Sequence, residues 1–426
     1  MLTLLIIADD FTGALDTGVQ FATNGANTRV VTSANYDFRQ VDSEVQVLVI
    51  DAETRHLSNK EAYDIVYDIT KRAVKQKIPY LYKKTDSALR GNIGSELTAM
   101  LEAAGANTLS FLPAFPKMDR FTKDGIHYID GVPVQESVFG KDPFDPVTCS
   151  NIQQLIAHQS QVKTHVKSLK DLKVSNEEGN KENQKEPEIL IWDAKTDEEL
   201  KVLGQHLYES DQMYLTAGCA GFASVLPELL AIKKESTPDI KLIPKILVIC
   251  GSVNPITVSQ IDYAQKHGFQ RIRLKPEERL NHEFFHSSLG QEKLCEWKEV
   301  LKKHPCVIFD SNDLPGQEDT KDYAKAHGLS TKEIRVRIAS SYGYILKELL
   351  SGEYKTTLMI TGGDTLLGCM EQLGVREMEP VCELAPGTVL SRFFLEGKTN
   401  QVISKSGGFG EETLIMDLAN KIIGKT

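Results

Sequence analysis

The sequence predicts two α/β domains with mainly parallel sheets, and three observations lead there. Short apolar runs of strand length alternate with segments of helical period, the rhythm of a parallel sheet covered by helices. The charged stretch Ile232–Pro244, with Pro238 and Pro244, separates two such series. The length of 426 residues suits two or three domains at roughly 100–200 residues each. The expected layout is an N-terminal domain over 1–231, a linker over 232–244 and a C-terminal domain over 245–426.

In the first series, Leu2–Ala8 is a continuous apolar run, as expected of a strand buried on both faces. Leu15, Val19 and Ala22 then recur at helical spacing, and Gly25 can end that helix. Strands follow at Arg29–Val31 and Val45–Ile50. Ser58 is placed to cap a helix over Lys60–Lys75, with Glu61 as its capping partner. Tyr80–Tyr82 and Thr108–Leu112 are further strands, with a helix starting near Ile93. Asp130-Gly131 marks a hairpin within His127–Pro133. Lys173–Glu188 nearly lacks large apolar residues and reads as a surface loop. Ile189–Trp192 and Met213–Thr216 restore the rhythm.

The second series has strands at Ile246–Ile249, Arg271–Leu274, Val307–Asp310 and Leu358–Ile360. Short strands over Pro386–Lys405 and a closing helix near Glu411–Ile423 complete it.

Composition narrows the function. Forty-nine Lys+Arg against 59 Asp+Glu give a net charge of −10, which argues against nucleic acid as a general partner. No segment approaches the ~20 apolar residues of a membrane span. Leu2–Ala8 lacks a basic leader and is stopped by Asp9-Asp10, so no secretory signal is read. The seven scattered cysteines form no CxxC pair and read as buried free thiols of a reducing compartment, the cytoplasm.

Ligands of open α/β sheets bind beyond the carboxyl ends of the strands, so the loops there carry the chemistry. In Ala8-Asp9-Asp10-Phe11-Thr12-Gly13-Ala14, capping accounts for one acid but not for both. Two carboxylates at a strand end can bind a polyhydroxylated ligand, hold a metal or act as general base. Lys83–Asn92 packs cations, hydroxyls, Asp86, Arg90 and Asn92 between strand and helix, and Arg90 could grip a carboxylate bidentately. A charged exposed turn explains its composition equally well.

Three loops of the second half are rich in small residues: Gly251–Pro255, Thr361–Thr365 and Lys405–Gly410. Each can aim backbone N–H groups and a helix N-terminus at a phosphate. Gly397-Lys398-Thr399 imitates the end of a P-loop, but Arg392 stands where its first glycine belongs. His158 and His165 share helical spacing and read as exposed.

The strings IIADDFTGALDTGVQFA, KKTDSALRGNIGSEL, CGSVNPITVSQI, ITGGDTLLG, LAPGTVLS and KSGGFG, in this order, resemble the four-carbon acid sugar kinase family over about Leu4–Leu418. The resemblance implies a sugar-acid-binding domain, a nucleotide-binding domain and ligands in the cleft between them. It implies transfer of the ATP γ-phosphoryl group, with Mg²⁺, to the 4-hydroxyl of a tetronate. D-threonate comes first, D-erythronate and 3-oxo-tetronate next. Ala88 stands where the family pattern carries Thr.

Carried over, it puts Asp9, Asp10, Asp86, Arg90 and Asn92 at the sugar acid. It puts Ser252, Gly362, Gly363, Asp364, Thr365 and Gly407 at ATP. Asp10 or Asp364 would take the hydroxyl proton or hold Mg²⁺. The partners expected are small molecules and a second copy of the chain in a homodimer, not nucleic acid or membrane. Two other readings stay open. One is a zinc hydrolase built on the HExxH pattern His282-Glu283-Phe284-Phe285-His286, whose bland alternative is a surface turn. The other is a non-catalytic sensor of sugar acid and nucleotide.

Overall fold

All five residues of β1 (Leu4–Ala8) are buried, which is why the run shows no polar alternation. Asp10 caps the helix that follows, α1 (Phe11–Ala22), whose buried side includes Leu15, Val19 and Ala22. Further along, the capping box expected at Ser58 and Glu61 opens α2 (Asn59–Lys75). A third helix, α3 (Ile93–Ala104), stops at Gly105, which takes a left-handed conformation with φ 62°.

A computed structural model describes residues 2–142, 146–173, 186–232, 242–314, 316–350 and 354–424. The chain divides into two units, Met1–Thr237 and Pro238–Thr426. The middle of the expected linker, 233–241, lies outside the described residues, as does 174–185 of the polar segment.

The first unit adds β2 (Thr28–Val31), β3 (Val47–Asp51), β4 (Tyr80–Lys84), β5 (Thr108–Leu112), β6 (Arg120–Lys123), β7 (Ile126–Ile129), β8 (Val132–Pro133), β9 (Lys163–Lys167), β10 (Glu188–Trp192) and β11 (Leu215–Gly218). Its main strands run in the order β2-β3-β1-β4-β11-β5-β10-β9, and every pairing is parallel. β6, β7 and β8 form a separate antiparallel ribbon that turns at Asp130-Gly131. In the main sheet, Ala8 lies level with Asp51 on one side and Lys84 on the other. The loops after β1, β3 and β4 therefore emerge side by side.

The second unit holds β12 (Ile246–Cys250), β13 (Gln270–Arg273), β14 (Cys306–Asp310), β15 (Thr357–Thr361), β16 (Glu377–Ala385), β17 (Thr388–Leu395) and β18 (Lys398–Lys405). Their order is β13-β14-β12-β15-β18-β17-β16. Pairing is parallel as far as β18 and antiparallel beyond it, so this sheet is mixed. Cys250, Thr361 and Lys405 share one level, which brings the three small-residue loops to one edge.

Some expectations need correction. The short strands of Pro386–Lys405 are two strands of eight residues, and β16 was not foreseen. Pro380 hid it by interrupting the run, and the register shifts between Pro380 and Cys382. The polar run Lys163–Lys167 is an edge strand, where a polar sequence is ordinary. Its His165 is thus not on a helix, and His158 only caps the helix Ile152–Ala157.

Removing the capping hydroxyl of α2 tests the local reading. Ser58→Ala is expected to destabilise the protein by about 1 kcal/mol in urea unfolding, with an unchanged denaturant slope.

Candidate active site

The N-terminal cluster is organised by a residue that the sequence motifs did not flag, Arg55. The loop after β3 carries it, and its own backbone N–H and that of Thr54 donate to the Asp9 carbonyl. Its guanidinium donates from Nε to Asp9 Oδ2 at 2.8 Å. Its Nη1 and Nη2 reach Asp10 Oδ2 and Oδ1 at 2.9 and 2.7 Å. Asp86 Oδ1 stands 3.6 Å away. One side chain, 10% exposed, thus gathers three carboxylates from two loops.

These carboxylates are not equivalent. Burial pushes Asp9 upward, but Arg55, Lys84 and Lys83 outweigh it and hold the carboxyl below its ordinary range. Asp86 behaves in the same way, with Arg90 and Arg55 overcoming burial to hold it well below. Asp10 is saturated. Its oxygens accept from Arg55 twice, from the Gly13 N–H at 3.1 Å and from Thr12 Oγ1 at 2.9 Å. Asp9 Oδ1, by contrast, is buried and accepts no hydrogen bond, with the Lys84 ammonium 3.8 Å away. Gly13 makes room for this meeting, because a Cβ there would lie 2.4 Å from Asp10 Oδ1 and 2.5 Å from Lys84 Nζ.

The loop after β4 is wound around Asp86. Arg90 turns its bidentate fork onto Asp86, with Nε and Nη2 both at 2.9 Å. The carboxylate it grips is therefore in its own loop. Its guanidinium also lies over the Phe139 ring at 5.3 Å. Asn92 spends its side-chain N–H groups on the carbonyls of Thr54 and Leu57, which fixes the loop that carries Arg55. His127 of the ribbon donates from Nε2 to the Ser87 carbonyl at 2.9 Å. Burial lowers its pKa to about 4, so it supports this loop as a neutral ring.

In the second unit the three loops interlock. The Gly251 N–H donates to the Thr361 carbonyl, and the Gly362 N–H to the Lys405 carbonyl. Thr257 Oγ1 donates to the Gly407 carbonyl at 2.9 Å. Gln260 Nε2 ties down the carbonyls of Phe409, Gly410 and Glu411. A Cβ at Gly251 would sit 1.8 Å from Thr365 Oγ1, and one at Gly407 would sit 2.8 Å from Ser252 Oγ. Helix Gly363–Gln372 begins after Gly362, at φ 95°, with no side-chain cap. Its first N–H groups thus suit an anion. Asp364, half-exposed in its first turn, is held by Arg335 at 2.7 and 2.8 Å.

Comparison with known proteins fits this division. A family model described as a sugar-binding N-terminal domain matches residues 4–226, and one described as a nucleotide-binding C-terminal domain matches 247–415. The chain belongs to the four-carbon acid sugar kinase family. It is a phosphotransferase by that membership. The D-threonate kinase of Salmonella typhimurium is 28% identical, over 97% of either chain. The D-erythronate kinase of Heliobacterium modesticaldum is 24% identical, over 100% of this chain and 99% of its own. A solved Haemophilus influenzae structure shares the fold, with a TM-score of 0.71 at 20% identity over 98% of this chain and 100% of that one.

The kinase carries no zinc-peptidase geometry at His282–His286. Phe284–His286 is a single 3₁₀ turn with both phenylalanines buried and both histidines exposed. Among the described residues, no three His, Cys, Asp or Glu side chains cluster to hold a metal. Nor is any described helix long and apolar enough to cross a membrane.

Arg55 offers the test of this electrostatic frame. Arg55→Met leaves Asp9 buried with its main counter-charge gone, at an expected cost of about 3–5 kcal/mol at pH 7. Asp9 stabilises the wild type above the unfolded carboxylate range, and that contribution is lost as pH falls through its depressed pKa. In the variant, protonating Asp9 relieves the penalty. The stability gap should therefore narrow as pH falls from 7 towards about 4, measured by urea unfolding.

Proposed function

We propose that this kinase transfers the γ-phosphoryl group of ATP to the 4-hydroxyl of a four-carbon sugar acid, with D-threonate as first substrate. Asp9 Oδ1 carries the reading. It is the one oxygen of the three gathered carboxylates that accepts no hydrogen bond, with only the Lys84 ammonium 3.8 Å away, and it is buried at a strand end. A substrate hydroxyl supplies the donor it lacks. The D-threonate kinase of Salmonella typhimurium supports the choice of acid, and D-erythronate and 3-oxo-tetronates come next.

Phosphoryl transfer asks for positioning and charge stabilisation more than for covalent help. Asp9 aligns the acceptor hydroxyl and takes its proton late, when its low basicity matters least. Asp10, with four donors on it, acts as an anchor for Arg55 rather than as the base. Asp86 and Asn92 hold the two loops that border the substrate, while Lys84 and the outer edge of Arg90 face its carboxylate. Ser252, Gly363, Thr365 and Gly407 receive the nucleotide phosphates on backbone N–H groups and the open helix end, and Gly362 supplies the left-handed turn that opens it.

Mg²⁺ takes one or two carboxylates together with phosphate oxygens, and Asp364 fits as such a donor, half-exposed beside that helix end. When bound, the ion neutralises phosphate charge. Arg335 holds the Asp364 carboxylate in place.

ADP release with ATP and Mg²⁺ across D-threonate, D-erythronate, their L-isomers and 3-oxo-tetronates tests the proposal. Turnover is expected on D-threonate, and silence on every acid with no ATP bound would sink it. Asp9→Asn should lower kcat by about 10²–10⁴-fold, the range of a lost general base. Arg90→Ala should raise KM for the acid and leave KM for ATP unchanged; an unaltered acid KM removes Arg90 from the carboxylate.

A further inference from the structure

Buried cations in this protein generally have a carboxylate beside them. Lys83 meets Glu96 at 3.0 Å, Lys84 lies 3.8 Å from Asp9, and Arg271 pairs with Asp310. Lys405 departs from the pattern. It is fully buried at the end of β18, directly beneath the loop that continues to Gly407. Its ammonium donates to Thr257 Oγ1 at 3.2 Å and to the carbonyls of Ser406 at 3.0 Å and Gly407 at 3.4 Å. All three acceptors are neutral.

Among the described residues, the surrounding elements supply no counter-charge. β15 and β17 place Thr361 and Thr388 beside Lys405 in register, and the helix Pro255–Lys266 contributes Thr257. β12 contributes the Cys250 thiol, which burial pushes up to about 12 and so keeps neutral. Asp310, behind Cys250, is already held by Arg271 and Arg273. A buried charge without a partner is costly, and an anion arriving nearby removes that cost.

We propose that Lys405 is the built-in counter-charge of the nucleotide phosphates, and that nucleotide binding fixes a proton on it. The inference rests on the nucleotide reading of the three loops. In the free protein, burial lowers the Lys405 pKa to about 8. A bound phosphate favours the ammonium and raises that value. Above pH 8, binding therefore takes up a proton and weakens as pH rises.

Titration of the full-length protein with ADP tests this, by calorimetry at pH 8.5 in two buffers of different ionisation enthalpy. About 0.7 proton should be taken up per ADP, and the ADP Kd should rise about 20-fold between pH 7.5 and 9.5. Lys405→Met should bind ADP at least tenfold more weakly at pH 7.5, with no proton uptake and a flat pH profile. Equal affinity and equal proton uptake in Lys405→Met would overturn the assignment. Should that variant fail to fold, the wild type decides alone: ADP binding with no uptake and no pH dependence overturns it. A wild type that binds no nucleotide overturns the nucleotide reading as well.

Discussion

Arg55 is the constraint on which the sugar-binding half depends. Three carboxylates crowded at neighbouring strand ends would repel one another and resist burial. A single guanidinium that holds two of them and faces the third turns that liability into a rigid frame. Rigidity follows from how Arg55 is itself held. Its backbone is hydrogen-bonded to Asp9, and Asn92 clamps the carbonyls on either side of it. Asn92 thus bears on the site through a loop. With the frame satisfied, one buried carboxylate oxygen can go without a hydrogen bond and the cluster need not rearrange around it.

The nucleotide-binding half meets a different demand. Its ligand is a polyanion, and apart from those of the Lys405 ammonium the hydrogen bonds that tie its three loops together run between backbone and uncharged side chains. Gly251 and Gly407 let Thr365 and Ser252 approach closer than any Cβ would permit. The helix end that follows Gly362 stays uncapped. Positive potential comes from backbone dipoles and from one ammonium buried beneath them.

The sequence revealed the strand–helix rhythm because strands buried on both faces, such as Leu4–Ala8 and Ile246–Cys250, write themselves as apolar runs. It did not reveal β9, which has no buried residue, or β16, whose run is broken by Pro380. The site loops were legible by composition, but their wiring was not. Arg55 sits in Glu53-Thr54-Arg55-His56, which resembles any exposed turn, and only the level register of β1, β3 and β4 brings it to Asp9 and Asp86. Arg90 looked free to grip a substrate carboxylate because sequence spacing cannot show that the loop folds its fork back onto Asp86. Lys405 opens the small-residue loop Lys405–Gly410, and its burial is invisible in the sequence, where it follows the polar Ser404.

The two halves resolve the same electrostatic problem in opposite ways. Where Asp9, Asp10 and Asp86 meet Arg55, Lys84 and Arg90, each charge already has a partner, so a ligand is selected by the hydrogen bonds left over. Such a site suits a small hydroxylated acid, whose recognition lies in where its hydroxyls point. Where Lys405 lies under Gly407, no described residue supplies the counter-charge, so on the proposed role a ligand is selected by the charge it brings. A mismatch in the first site leaves a buried oxygen unpaired, while in the second it leaves a buried ammonium uncompensated. On the proposed roles, stereochemical discrimination belongs to the Asp9 loop, and the response to pH belongs to the loop above Lys405.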